Sequence, residues 1–385
     1  MKKVGIITYY GKNYGGMLQA YALQRVVKQN GYDCKIISND FLNIETKFKK
    51  VKKIAKKLIY VGFNLTTYFK KRKAMRRYPL QRDKNAEKFE KFLKANIEID
   101  YTGYTKYKQY LNSPPQYDIY LMGSDQIWNP NLYMDNGFYF AEFAPKSSFK
   151  ISYASSIGVS AVTKKQAKFM KPLLNDIDII STREDDGAKI VEAITNKKAR
   201  VVLDPTLLLN KDEWSAVANP IKFNEPYVFV YMFGEKEYYE EVKQKVKEIT
   251  GLNLVCIPYV AREFGSNDIK VFDAGPAEFI GLIKNAALVL TDSFHATAFS
   301  INMKVPFVSL CRFSKNDQKG MNSRLNTILG TLSLGDRLID ENYEITKDFL
   351  FNIDFEKSHR ILEEKRKNDK EFLLNSIEHK RRRNV

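Results

Sequence analysis

Leu288–Ile301 reads LVLTDSFHATAFSI, and its two halves follow different patterns. Ala287 to Leu290 is an apolar, β-branched run of the kind that forms a buried parallel strand, and Ala296 to Ile301 reads as a helix packed back on that strand. His295 falls at the junction. It is one of three histidines in 385 residues and the only one outside the highly charged C-terminal region. In open α/β sheets the carboxyl ends of the strands are where ligands bind, so an imidazole there is a candidate functional group. A buried histidine hydrogen-bonded to a carbonyl is the competing reading of that residue taken alone.

The same rhythm extends in both directions. Lys3–Thr8 reads as a strand, followed by the loop Tyr9-Tyr-Gly-Lys-Asn-Tyr-Gly-Gly and a helix from Met17 to Gln29. Met17, Ala20, Leu23 and Val27 share one face of that helix, and Gly31 supplies its stop. Further strands are expected at Cys34–Ser38, Tyr117–Met122, Lys150–Ala154, Asp178–Thr182 and Arg200–Leu203. A second series follows at Pro226–Met232, Leu252–Pro258, Ile269–Phe272, Ala287–Thr291 and Pro306–Leu310, with a final amphipathic helix at Phe355–Ile377. Alternating strands and helices imply parallel sheets covered on both faces. The expected fold is α/β, with two Rossmann-like domains facing a central cleft. Residues 1–206 form the first, carrying a basic insertion at 47–77; residues 207–350 form the second; 351–385 are a C-terminal helix and basic tail. Leu207–Asn224 is the expected crossing.

A chain of 385 residues can build two cores of ordinary size. No apolar run approaches the roughly 20 residues that span a bilayer. The sequence opens directly into a strand, so no leader is expected. Cys34, Cys256 and Cys311 are odd in number and unpatterned, which points away from a disulfide framework or zinc site and toward a reduced, cytoplasmic setting. Basic residues outnumber acidic ones by 63 to 45, and the excess is concentrated. Lys47–Arg77 carries 13 Lys or Arg and no acid, with Phe48, Val51, Ala55, Leu58, Gly62, Leu65 and Phe69 at spacings of three and four. That is the pattern of a helix held in an anionic membrane surface, or of a helix packed on the protein with its charge solvated. His379-Lys-Arg-Arg-Arg adds a second basic cluster.

Four loops at strand ends could carry chemistry. Gly11–Gly16 permits close backbone approach before a helix N-terminus, which favours an anion; a tight turn explains it equally well. Gly123-Ser-Asp-Gln-Ile-Trp-Asn-Pro gathers small and hydrogen-bonding residues with Trp128, a composition suited to a polyol, and Asp125 could orient or deprotonate a hydroxyl. In the competing reading Ser124 and Asp125 only cap a turn. Ser181-Thr-Arg-Glu offers Arg183, whose planar fork suits phosphate or carboxylate, or a neighbouring acid. Asp292-Ser-Phe-His, with Arg312 and Asn322-Ser-Arg324, would complete a cationic pocket for a compact, multiply charged anion. One histidine without a carboxylate or thiol grouping builds no metal site.

With these residues in view, the chain resembles the polysaccharide pyruvyl transferase family. The likeness runs from Asn13 and Gly15 to about Arg337, carried by the loops above, by Ser152-Tyr-Ala-Ser-Ser-Ile-Gly and by Leu203-Asp-Pro-Thr. It implies a glycosyltransferase-B-like fold and transfer of pyruvate from phosphoenolpyruvate to a sugar as a ketal, with release of phosphate. The family's motif arginine and histidine fall on Arg183 and His295. Where the family often shows Arg-x-His, this chain has Ser293-Phe-His followed by Ala296 instead of glycine, so either Arg324 or Arg312 substitutes or donor binding differs. With the loops read as above, catalysis is expected of His295, Arg183 and Asp125, and donor binding of Arg183, Ser293, His295, Arg312 and Arg324. The acceptor is expected at Asn13, Gly15, Gly16, Ser124, Asp125, Gln126, Trp128 and Glu184, with Asp125 or Glu184 taking the sugar proton.

Phosphoenolpyruvate is then a co-substrate, and no cofactor or metal is expected. The acceptor would be a surface-glycan precursor, such as a lipid-carrier-linked oligosaccharide, with Lys47–Arg77 holding the enzyme at the inner membrane face and no nucleic acid involved. Two other readings remain: a nucleotide-sugar glycosyltransferase of the same fold, and a non-catalytic basic protein that binds membrane or nucleic acid.

Overall fold

The computed structural model describes residues 2–42, 73, 76, 79–312 and 322–379. The chain divides into two compact units. The first comprises Met1–Lys57, Asn96–Leu208 and Glu364–Val385; the second comprises Leu58–Ala95 and Leu209–Glu363. The basic insertion at 47–77 lies outside the described residues except for Lys73 and Arg76, both exposed, and the tail lies outside them from residue 380. No described helix is long and apolar enough to cross a membrane.

The first unit holds β1 (Lys3–Ile7), β2 (Asp33–Ile37), β3 (Ile99–Asp100), β4 (Ile119–Met122) and β5 (Phe149–Ser152), in the order β3-β2-β1-β4-β5. All pairs are parallel. β6 (Ser181–Thr182) and β7 (Arg200–Val201) form a short parallel pair beside β5, linked to it by bridges Ile151↔Ile179 and Ser155↔Thr182. β4 and β5 are buried at every position, which explains the unbroken apolar run of β4; in β5 the buried Lys150 and Ser152 alternate with Phe149 and Ile151. The helix Tyr14–Gln29 starts three residues earlier than its apolar pattern predicts. Asn13 is the reason: its Oδ1 accepts from Gly16 N at 2.9 Å and so caps two glycines into the first turn. The stop is as expected, with Gly31 at φ +85°.

The second unit repeats the scheme. β8 (Tyr227–Tyr231), β9 (Asn253–Cys256), β10 (Ile269–Lys270), β11 (Leu288–Thr291), β12 (Phe307–Leu310) and β13 (Leu338–Ile339) form one parallel sheet in the order β10-β9-β8-β11-β12-β13. One face carries Val228, Val230, Leu254, Leu288, Leu290, Val308 and Leu310 in a single core cluster. Full burial of such side chains stabilises by about 1.5–3 kcal/mol each. Trp214 packs edge-on against Phe299, which in turn meets Phe279.

Each sheet reverses strand order beside its first strand: between β1 and β4 in the first unit, between β8 and β11 in the second. The crevice outside such a reversal is where doubly wound sheets bind ligands. The units are not simple successive halves of the chain. The helix Pro79–Asn96 belongs mainly with the second unit, where Lys88 pairs with Asp273 at 3.3 Å and Glu278 at 3.5 Å. The helix Phe355–Glu378 closes the first unit with its C-terminal part, instead of standing apart at 351–385. There Asp369 accepts from Leu203 N at 2.8 Å and pairs with Arg200, while Arg366 Nε donates to Leu207 O at 2.6 Å.

Candidate functional site

At the reversal of the first unit, Gln19 ties three segments together. Its Nε2 donates to Thr8 Oγ1 and Tyr9 O, both at 2.9 Å, and its Oε1 accepts from Ser124 N at 3.0 Å. The glycine loop beside it is filled from within. A Cβ on Gly11 would lie 2.3 Å from the Tyr9 hydroxyl, and one on Gly16 would lie 2.7 Å from the Tyr9 ring. These glycines make room for a tyrosine.

Behind the loop lies a buried charge cluster. Asp204 Oδ2 accepts from Arg183 Nη1 at 2.6 Å and from Ser124 Oγ at 3.0 Å. Its Oδ1 accepts from Thr206 N and Oγ1 at 2.9 and 2.7 Å. Arg183 Nη2 lies 3.6 Å from Asp125 Oδ1. The Arg183 side chain is 1% exposed, Asp204 0% and Asp125 17%, so Asp125 is the member that reaches solvent. Burial works against the Arg183 charge, yet Asp204, Asp125 and Glu184 together raise its pKa above the ordinary value. Asp125 sits in left-handed backbone, φ 63°, and its carbonyl accepts from Ser156 N.

Two expected acceptor contacts turn out to be internal supports. Glu184 is fully buried, and its Oε1 accepts from Ser156 Oγ, Ile157 N and Gly158 N at 3.1, 2.8 and 3.0 Å. Trp128 is 1% exposed, stacked on Phe140 at 5.3 Å, with its indole N–H donated to Tyr139 O. Asn13 is occupied as the helix cap, and Gln126 accepts from Asn129 Nδ2 at 2.8 Å. Ser124 is buried within the Asp204 network, and Gly15 and Gly16 are buried in the first helical turn.

The second unit has a different centre. Asp292, directly after β11, is fully buried at its carboxylate. It accepts from Phe233 N at 2.8 Å, Gly234 N at 2.7 Å, Tyr239 Oη at 3.2 Å and Arg312 Nε at 2.9 Å. Arg312 Nη2 also donates to Asp292 O, and its guanidinium lies 5.0 Å from the Phe233 ring centre. Arg312 keeps 15% of its side chain exposed. Burial opposes its charge, and Asp292 more than compensates. Ser293 caps the helix Phe294–Met303 through Ala296 N, and His295 stands in the first turn, 8% exposed, edge-on to Phe294. Arg324 is nearly buried in the first turn of Ser323–Thr331. Sequence reasoning therefore located the His295 loop correctly. It missed Gln19, Tyr9 and the binding duties of Asp204 and Asp292, whose signal was only an acid directly after a strand.

After β9, Glu263 Oε2 accepts from Tyr259 N and Val260 N at 2.6 and 3.2 Å, while its Oε1 has no hydrogen-bond partner among the described residues. Burial above all, with Asp292 adding, pushes this carboxyl from 4.5 up to about 8. Among the described residues no group of His, Cys, Asp and Glu could hold a metal ion.

Comparison with solved structures shows the fold. The co-structure of S. aureus MnaA with UDP matches 98% of this chain and 96% of its own at 12% identity and TM-score 0.50. A UDP-N-acetylglucosamine 2-epimerase described as putative, from Listeria monocytogenes, matches 98% and 88% at 12% identity and TM-score 0.48. The spinosyn rhamnosyltransferase SpnG with spinosyn aglycone matches 98% and 100% at 8% identity and TM-score 0.43. No match is found among curated proteins. The family model for polysaccharide pyruvyl transferase matches residues 13–310, from the Asn13 cap through β12 and past the His295 loop, and the chain belongs to that family.

Proposed function

We propose that the protein transfers the pyruvate skeleton of phosphoenolpyruvate to two hydroxyls of a sugar in a bacterial surface-glycan precursor, as a ketal, with release of phosphate. The observation that carries this reading is the grouping at the end of β11. A capped helix N-terminus, His295 in its first turn and the Asp292-tethered Arg312 together suit a small, multiply charged anion. Ser293, His295, Arg312 and Arg324 hold the donor's carboxylate and phosphate. We place Arg183 with the acceptor, because Asp204 already takes its guanidinium.

The chemistry balances with one proton source. Protonation of donor C3 makes a methyl group and an electrophilic C2; one sugar oxygen adds to C2 and gives up its proton. The C2–O bond to phosphate then breaks, and the second sugar oxygen adds, its proton leaving with phosphate. His295 donates the first proton or a hydrogen bond to the departing phosphate. Asp125 takes the sugar proton, and holding the diol in place supplies orientation.

Titrating phosphoenolpyruvate and UDP in a thermal-shift assay tests this, with wild type and His295→Ala compared. A ligand bound only by the native state raises the melting temperature as its concentration passes Kd. A rise with phosphoenolpyruvate that weakens in the variant supports the reading. A rise with UDP alone favours a nucleotide-sugar enzyme, the reading to which the MnaA–UDP likeness lends its fold. The acceptor's lipid carrier and the Lys47–Arg77 segment belong to the same proposal: flotation with anionic liposomes should be lost when that segment is deleted.

A further inference from the structure

The charge cluster of the first unit is built the wrong way round for an anion. One guanidinium, Arg183, is surrounded by the carboxyls of Asp204, Asp125 and Glu184, and it is turned inward onto Asp204 at 2.6 Å. An anionic ligand here would meet an excess of acid. A hydroxyl-bearing ligand would meet a partly exposed carboxylate, which accepts hydrogen bonds from hydroxyls, held in place by a cation behind it. Aromatic faces stand next to it. The Tyr9 ring lies against Gly16, whose missing Cβ would be 3.5 Å from Asp125 Oδ2. Tyr133 is partly exposed and packs edge-on to Tyr139 at 4.7 Å. Burial foremost, with Asp125 contributing, raises the pKa of both hydroxyls, so they stay as O–H groups. A carboxylate beside apolar ring faces matches the two surfaces of a sugar ring, its hydroxyl edge and its C–H face.

We propose that Asp204 and Arg183 are positioning residues that hold the Asp125 carboxylate toward an uncharged, hydroxyl-bearing ligand, with Tyr9 and Tyr133 as ring contacts. The first unit thus selects a neutral sugar over a uronic acid or a phosphorylated or sialylated one. Calling that sugar the pyruvyl acceptor rests on the reading above; the neutrality of the subsite does not.

The test uses the intact protein, fluorescently labelled, on a glycan array that displays neutral oligosaccharides beside uronic-acid, sialylated and phosphorylated ones. Phosphoenolpyruvate affinity is measured on the same preparations by calorimetry. Wild type should bind neutral glycans only. Asp125→Asn and Asp204→Asn should weaken that binding tenfold or more while leaving the phosphoenolpyruvate Kd within twofold. Arg183→Lys, which keeps the charge and is better tolerated, should behave like Asp204→Asn. Preference for acidic glycans, binding to no glycan, or glycan binding unchanged in Asp125→Asn overturns the proposal. So does an Arg183→Lys variant that loses phosphoenolpyruvate affinity and keeps its glycans. Failure of wild type to bind phosphoenolpyruvate would remove the pyruvyl-transfer reading, while the array would still decide the subsite.

Discussion

The two units share a strand order and a buried Asp–Arg pair at its reversal, yet they present opposite chemistry. In the first, Arg183 is sealed inside and outnumbered by acids, and a carboxylate is the group that reaches solvent. In the second, the acid is sealed inside. Asp292 accepts from two backbone N–H groups, a tyrosine and Arg312, and it is the arginine that stays partly open. The same fold therefore turns a carboxylate outward in one half and a guanidinium outward in the other. The acid of the pair is fully buried in both units; what differs is the group that reaches solvent beside it, the carboxylate of Asp125 in the first and the arginine itself in the second. Fold alone would not distinguish them.

The largest expected effect probes the sealed arginine. Arg183→Met leaves Asp204 buried without its cation and should cost about 3–5 kcal/mol in urea unfolding. A loss below about 1 kcal/mol would mean the pair is no anchor and the contrast between the units is weaker than drawn. Next, His295→Ala should lower kcat on the order of 100-fold with the fold intact, the usual contribution of a positioned acid. If Asp125→Asn costs far more than His295→Ala in the same assay, the chemistry is led from the first unit.

Glu263 sharpens the electrostatic side of the comparison. Burial above all raises its carboxyl from an ordinary 4.5 to about 8 in the fold, with Lys243 acting against the shift and Asp292 adding to it. The folded chain thus retains a proton that the unfolded chain gives up. The stabilisation is complete below pH 4.5 and disappears as pH rises through about 8, at a slope of up to about 1.4 kcal/mol per pH unit. Glu263→Gln should flatten the fall in melting temperature between pH 5 and 8; an unchanged slope would show that another group titrates there. The smallest effect separates support from contact. Trp128→Phe removes one buried hydrogen bond and should cost about 1 kcal/mol while leaving the acceptor KM unaltered. A raised KM would return Trp128 to the acceptor surface.

Much of this was legible in the sequence because buried parallel strands leave continuous apolar runs. Eleven strands were expected, each within a few residues of its position, and the His295 loop fell where a strand hands over to a helix. β3 and β13 were missed: two residues each carry no periodicity. The composition of GSDQIWNP correctly marked a strand-end loop, but composition cannot say which side chains turn inward. Trp128 did, as did Glu184 in the Ser181–Glu184 loop; Asp125 did not. The Gly11–Gly16 loop looked like an anion cradle because glycine records only that something comes close. Here it is Tyr9.

The closing helix has a consequence for how the chain is made. Asp369 accepts from Leu203 N, and Arg366 from the same helix donates to Leu207 O, so the first unit borrows its last wall from the end of the sequence. At ordinary ribosomal speeds the gap between Leu208 and Asp369 takes on the order of ten seconds to translate. The half that is begun first is therefore completed last, and its β7 edge waits open while the second unit is being synthesised.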